Sequence, residues 1–414
     1  MLKYLSLLLL LFITPLKALN LETNNTFLDI NSKYNNIYVV ERLDLNNNPK
    51  TNIYYYRYLV KVYSGNTLLN IYETGIKKMV CSSKCIYPSA KIMDEYLVLN
   101  TPTSSEIYDF KNDKTIKLNI RTTKLEKINN KLLIIGGSPA SLLYYEDNKL
   151  VFNESLSFKS IYNDFYVDKE GNTLLVGEDL DKKTSINVKY DSDYFRKYIS
   201  RQENDLNSSL TKLMPFNKND YLTLGSNLNN GILTRYNEYD KALSSRFKID
   251  DEPVDVIDAY TDNKYISVII YHERDKYYEL IKYNKDLKPL KVKRSKSKEK
   301  PKVLVNGPYI YLLYNNKIKI YNKDLKLIIN KDLKLKGDLK AYALLNDNFY
   351  LMSEKIIKSR NINIGFLERD NKDIFLIFIL LLILLILLND EILYPKNYKN
   401  KKKKYKKNSK NKKF

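Results

Sequence analysis

The sequence predicts an all-β chain, an eight-bladed β-propeller with seven blades as the alternative, followed by a single transmembrane α-helix. Three observations carry this prediction. The stretch YNKDLKPL at Tyr283 recurs as YNKDLKLI at Tyr321, 38 residues later. That match extends into a series of β-type runs that end in Tyr and lead into a polar turn. A second series, of compact apolar runs preceded by Asn, Asp or Gly, alternates with the first.

The Tyr-ending series places Tyr63, Tyr108, Tyr145, Tyr190, Tyr236, Tyr283 and Tyr321 at spacings of 45, 37, 45, 46, 47 and 38. A degenerate eighth member, KIIKSRNINIGF, puts Ser359 another 38 residues on. The apolar series runs through NNIYVV at Asn35, DEYLVL at Asp94, NNKLLII at Asn129 and GNTLLVG at Gly171. It continues through NDYLTL at Asn219, DNKYISVII at Asp262, NGPYIYLL at Asn306 and NDNFYLM at Asn346. Alternating runs punctuated by Asn, Asp and Gly read as hairpins, and a hairpin pair repeating about every 36 to 48 residues has the period of a four-stranded blade. The apolar run is the expected second strand, buried between neighbouring blades. The Tyr-ending run is the third, and the run after the polar turn is the outer fourth. Eight such units starting near Asn20 fill the chain to about Asp370, so the propeller is expected over residues 19–370.

The N-terminus, MLKYLSLLLLLFITPLKALN, has a lysine before the apolar run Leu5 to Thr14, then Pro15 and a small residue at Ala18. This is the form of a cleavable signal peptide over residues 1–18. Near the other end, Ile374 to Leu388 are fifteen consecutive apolar residues. As a helix they cover roughly 22 Å, and continuation to Tyr394 gives a membrane span over 374–394 suited to the thinner bilayer of the endoplasmic reticulum (ER). Residues 395–414 hold 11 lysines and no acid, half of the chain's net charge of +22. The positive-inside rule puts that tail in the cytosol, and the signal peptide puts the propeller in the lumen. Together these features describe a single-pass type I membrane protein. Because lysine is raised throughout and concentrated at this end, the basic charge is not read as a nucleic-acid signature.

The chain has one His, two Cys and no Trp, which removes most metal and nucleophile chemistry, and no catalytic, metal or cofactor site is expected. Cys81 and Cys85, spaced C-x3-C, read as a disulfide closing a small loop of the second blade in an oxidising lumen. His272, in YHERDKYY, reads as a solvated turn residue without the partners that metal binding or triad chemistry needs. The glycine pair of IIGGSPAS, Ile134 to Ser141, lacks both phosphate-loop patterns and reads as the turn between second and third strands. KPLKVKRSKSKEKPK, Lys288 to Lys302, reads as a flexible, solvated inter-blade segment. Asn24, Asn153 and Asn207 begin the three N-glycosylation sequons, compatible with a luminal domain.

Three resemblances add to this reading. A polar-turn motif between the last two strands of each blade makes the chain look like the quinoprotein-type propellers. Those enzymes sandwich their cofactor with a Trp and a vicinal disulfide, and this chain has neither, so a non-enzymatic role is expected. Lys412 and Lys410, third and fifth from the end of this sequence, resemble the dilysine retrieval signal of ER-resident type I membrane proteins. The overall layout resembles that of subunit 1 of the ER membrane protein complex, in a much shorter form, although no motif carries the likeness residue by residue. The resemblance implies an ER-resident luminal scaffold with other ER membrane or luminal proteins as partners, in membrane-protein insertion or quality control. An alternative is a cargo or folding receptor that cycles by the dilysine tail and its coat-protein partners. Another is a propeller-type exchange factor, which requires inverted topology.

Overall fold

The computed structural model describes residues 19–361 apart from 49–51, 82–84, 202–206, 218–219, 228–229, 238–241, 249–253, 263, 334 and 346–347. The described residues form an all-β, eight-bladed propeller. Each blade is an antiparallel meander, and in blades 1 to 7 the strands run in chain order from the inside outward. The eight begin with the inner strands Thr26–Lys33, Ser89–Met93, Thr122–Ile128, Ser160–Val167, Ser209–Phe216, Val254–Thr261, Lys302–Asn306 and Ala341–Leu345. The ring closes where the inner strand of blade 1 meets that of blade 8.

The core follows from the second strands. In Asn36–Asn48, Ile37 and Val39 pack into a cluster with Ala343, Tyr350 and Met352 of blade 8. The alternate residues Tyr38 and Val40 pack with Ala90, Leu97 and Leu99 of blade 2. Leu132 and Ile134 of blade 3 likewise face blade 2, while Leu133 and Ile135 face blade 4. With side chains pointing to opposite faces at a period of two, both faces of a central strand are buried, so its sequence is a continuous apolar run instead of an alternation. The expected assignment of the apolar runs to second strands and the Tyr-ending runs to third strands matches the observed order in every blade.

The YNKDLK repeat is one turn built twice. Asn284 Oδ1 accepts from the backbone N–H groups of Asp286 (3.0 Å) and Lys288 (2.9 Å). Asn322 Oδ1 accepts from Asp324 and Lys326, both at 3.0 Å. Leu287 and Leu325 both take φ 56°, the left-handed region that costs a residue with a Cβ, and both side chains are buried. In blade 4 the same turn is written with Asp191, whose Oδ1 accepts from Asp193 and Phe195.

The meander gives the disc two distinct faces. One, the turn face, carries the turns between first and second strands and between third and fourth. The other, the connection face, carries the second-to-third turns and the links from one blade to the next. Blade 8 takes its outer strand from the start of the described chain. Asn20–Glu22 pairs antiparallel with Ile356–Asn361, Asn20 opposite Lys358 and Glu22 opposite Ile356. Ser359 N–H donates to Leu19 O (2.8 Å), and Leu19 N–H donates to Ser359 Oγ (2.8 Å) in a buried site. This explains the degenerate eighth repeat: the Tyr position is Ser because its hydroxyl holds the closing strand. No helix of the described residues is long and apolar enough to cross a membrane. The signal peptide, transmembrane helix and lysine tail expected over 1–18, 374–394 and 395–414, with Lys410 and Lys412, lie outside the described residues.

Candidate interaction surface

Blade 1 departs from the repeat. Its second and third strands, Asn36–Asn48 and Ile53–Ser64, are 13 and 12 residues long, against five to eight elsewhere. The surplus, Leu43–Asn48 paired with Ile53–Arg57, projects beyond the connection face as a hairpin. At about 3.3 Å per residue it adds roughly 16 to 20 Å to the blade. The outer edge is correspondingly made of two strands in line. Thr67–Glu73 pairs with the lower part of Ile53–Ser64, and Lys77–Val80 pairs with its tip. Between them Thr74 bridges the gap: its N–H donates to Tyr58 O (2.9 Å), and its Oγ1 accepts from Tyr58 N–H (3.0 Å).

Aromatic packing stiffens the inner side of this extension. Tyr56 sits edge-on to Tyr58 and Tyr87, with ring centroids 5.6 and 5.0 Å apart. The Arg42 guanidinium lies 3.7 Å over the Tyr87 ring and is held by Asp44. Tyr58 OH donates to Pro88 O (3.0 Å), and burial pushes its phenol well above the usual range. Lys77 pairs with Glu106 of blade 2, whose other partner is Tyr108 OH at 2.7 Å. Cys81 and Cys85 are joined (S–S 2.07 Å) where the chain leaves the extension for blade 2, and Cys81 N–H donates to Asn52 O (3.0 Å).

The outer side is apolar and uncovered. Of the 16 exposed large apolar residues of the described chain, eight fall between Leu45 and Ile86. The most open are Ile86 (81%), Val80 (70%) and Ile76 (66%). Along the edge strand Leu68, Leu69 and Ile71 are exposed as well. An edge strand with apolar side chains and unpaired backbone groups is a template for pairing, which folded proteins usually blunt with charge or Pro. Here the edge is left open while the hairpin behind it is braced, the arrangement expected of a surface built to bind.

The remaining candidates are structural. The inner strands of blades 1, 3, 4, 5 and 6 each carry a bulge. Just past it stands a charged residue that staples neighbouring blades. Lys124 meets Asp164 at 2.6 Å, Asp164 accepts from Leu213 N–H (2.8 Å), and Lys212 pairs with Asp258. Asp29 accepts from Ile92 N–H (2.8 Å), and burial pushes its carboxyl up to about 6. The IIGGSPAS segment is the second-to-third turn of blade 3. A Cβ on Gly136 would lie 2.1 Å from Arg121 O, and Gly137 takes φ 79°. The cavity beside this turn, about 550 Å³, is an open depression on the connection face lined by Arg121, Asn119, Thr123 and Ser138.

Two sequence expectations are corrected. His272 is not a solvated turn residue: it ends the strand Tyr265–His272, is 1% exposed, and stacks on Tyr277 with centroids 4.0 Å apart. Its Nε2 lies 3.5 Å from Glu279 Oε2. Burial raises the Glu279 carboxyl, but His272 and Arg294 outweigh that and leave it below its usual value. The strand runs two residues into YHERDKYY, and the turn is confined to Glu273–Lys276, with His272 paired to Tyr277 across it. Likewise Lys288–Lys302 is not a flexible loop: Pro289–Lys296 is the exposed outer strand of blade 6, paired along Tyr277–Asn284. Its lysines face solvent because an outer strand has no neighbouring blade to bury them.

Among the described residues no group of three His, Cys, Asp or Glu is arranged to hold a metal. Asn24, Asn153 and Asn207 are all exposed. The blade-1 surface went unread in the sequence, although the run of tyrosines Tyr54 to Tyr58 and the long spacing from Tyr63 to Tyr108 were its visible traces.

No protein-family model and no curated protein sequence matches this chain. Solved structures do. The Dos1 propeller is similar at TM-score 0.53 and 11% identity, over 82% of this chain and 93% of that one. The computationally designed Ika8 protein is similar at TM-score 0.52 and 9% identity, over 82% of this chain and 98% of that one. At such identities the likeness is one of fold. The chain is a β-propeller whose first blade carries an apolar edge that the other seven lack in this form.

Proposed function

We propose that the chain is a non-catalytic, ER-resident type I membrane protein whose luminal propeller is a protein-interaction scaffold in membrane-protein insertion or quality control. The exposed apolar edge of blade 1 is its docking surface. The observation that carries this reading is the concentration of half the exposed large apolar residues of the described chain between Leu45 and Ile86, on blade 1 and its link to blade 2. The signal-like N-terminus and the apolar run Ile374 to Leu388 support the location. The partner presents an apolar face of its own, since the edge offers backbone pairing and the exposed aliphatic side chains of Leu68, Leu69, Ile71, Ile76 and Val80.

The test is purification of the tagged full chain in mild detergent, with co-purifying proteins quantified. Several membrane proteins at near-equal stoichiometry support the scaffold, and Ile86→Asp with Val80→Asp strips them off. Substoichiometric secretory cargo or coat proteins alone sink it. Such an outcome favours the cycling receptor instead, for which the Lys410 and Lys412 spacing speaks.

A further inference from the structure

The three sequons, far apart in sequence, meet on one side of the disc. Asn24 lies in the link from the closing strand Asn20–Glu22 to the inner strand of blade 1. Asn207 lies in the link from Arg196–Arg201 to Ser209–Phe216, with φ 57°. Asn153 is near the end of Lys149–Ser155, the outer strand of blade 3, which runs toward the same face. All three therefore sit on or beside the connection face. Each is exposed, and none of their side-chain amides is engaged in a hydrogen bond among the described residues.

The contrast lies on the opposite face, where asparagine is abundant. Asn35, Asn66, Asn129, Asn148, Asn284 and Asn322 all stand in its turns, and none is followed two residues later by Ser or Thr. Asparagine is used there for left-handed and capped turns, so the turn face is without sequons for a reason other than want of asparagine. That face is also the one from which both ends of the described chain leave, since Asn20 lies opposite Lys358 at the turn-face end of its strand.

We infer that Asn24, Asn153 and Asn207 carry N-linked glycans, which clothe the connection face and leave the turn face bare. The inference rests on the luminal location proposed above. In the transfer, the amide nitrogen bonds to the anomeric carbon of a pyrophosphate-lipid-linked oligosaccharide. The lipid pyrophosphate leaves with the bonding pair, and one amide proton passes to the transferase.

The full chain is expressed with microsomal membranes and divided. One part is treated with an amide-cleaving glycosidase, and the other with protease while the membranes are sealed. The expected result is a protease-protected propeller that loses three mobility steps on deglycosylation. Each of Asn24→Gln, Asn153→Gln and Asn207→Gln removes one step. A protected propeller with no glycosidase shift overturns the inference and leaves the luminal reading standing. A propeller digested in sealed membranes overturns both. The exposed amides make Asn24→Gln and Asn153→Gln neutral to folding, Asn207→Gln adds a small strain at φ 57°, and protection of the triple variant checks that lost steps are lost glycans.

Discussion

Changing Ser359 to Ala tests the closure of the ring. Its hydroxyl is the acceptor for Leu19 N–H at 2.8 Å, in a site from which water is excluded, and Leu19 itself is 5% exposed. Alanine keeps the strand and removes only the acceptor, so a buried donor is left unpaired at a cost of about 1–3 kcal/mol. Ser359→Thr keeps an Oγ and adds strand preference, so it restores most of that loss. The closing strand contributes only the three pairings Asn20–Lys358, Leu21–Ile357 and Glu22–Ile356. Losing one of its few anchors therefore loosens the whole blade. The assay is urea unfolding of the purified protein followed by tyrosine circular dichroism, with hydrogen exchange at Leu351 and Met352 reporting blade 8. Faster exchange in blade 8 than in blade 4, with Ala below Thr, is the expected pattern. If Ala and Thr match wild type within about 0.5 kcal/mol, the hydroxyl is not what holds the closure.

Four further outcomes follow. Asp29, pushed from 3.8 to about 6 by burial, binds more protons folded than unfolded; its contribution is present below pH 4 and is lost as pH rises through 6, up to about 3 kcal/mol. Asp29→Asn keeps an acceptor for Ile92 N–H, so unfolding titrations from pH 4 to 7.5 should show it flattening that fall. Asn284→Ala and Asn322→Ala each remove two backbone caps from equivalent turns, so each costs about 1 kcal/mol in denaturant unfolding and the pair adds; unequal costs would mean the turns are not equivalent. Val80→Asp and Ile86→Asp sit on open surface and should leave the unfolding midpoint unchanged while abolishing recovery of partners. Leu133→Ala, at a fully buried position in a central strand, costs about 2–5 kcal/mol by the same unfolding assay, several times the cost of Leu150→Ala on an outer strand.

The blades were legible because their chemistry is local. A central strand is apolar on both faces, and a turn such as Asn284–Lys288 needs an Asn or Asp side chain at one end. Both leave marks within a few residues. Two features were not legible because their cause is a packing partner, distant in sequence for one and across a hairpin for the other. Ser359 looks like a failed Tyr until Leu19, 340 residues distant, is seen on it. His272 looks like a turn residue until Tyr277 and Glu279 are found beside it across the hairpin. The blade-1 surface was hidden differently: Thr67–Glu73 reads as an ordinary outer strand, Lys77–Val80 belongs to neither repeat series, and only their open packing sets them apart. Exposure is decided by what fails to cover a residue, and a single sequence does not record that.

The closing strand also sets how the ring responds to force. Asn20–Glu22 and Ile356–Asn361 run antiparallel, and the chain enters the first and leaves the second at the same end of the pair. Tension between those two points loads the hydrogen bonds one after another, as a zip is opened, and never all together in shear. The four-stranded blades that lie wholly within the chain are not loaded in this way until blade 8 has parted. Pulling on the ends should therefore open the propeller at one predetermined seam, at low force, and recoil should reseal it through the same few contacts. Traction applied from a single side would turn a closed disc into an open arc without first unfolding any other blade.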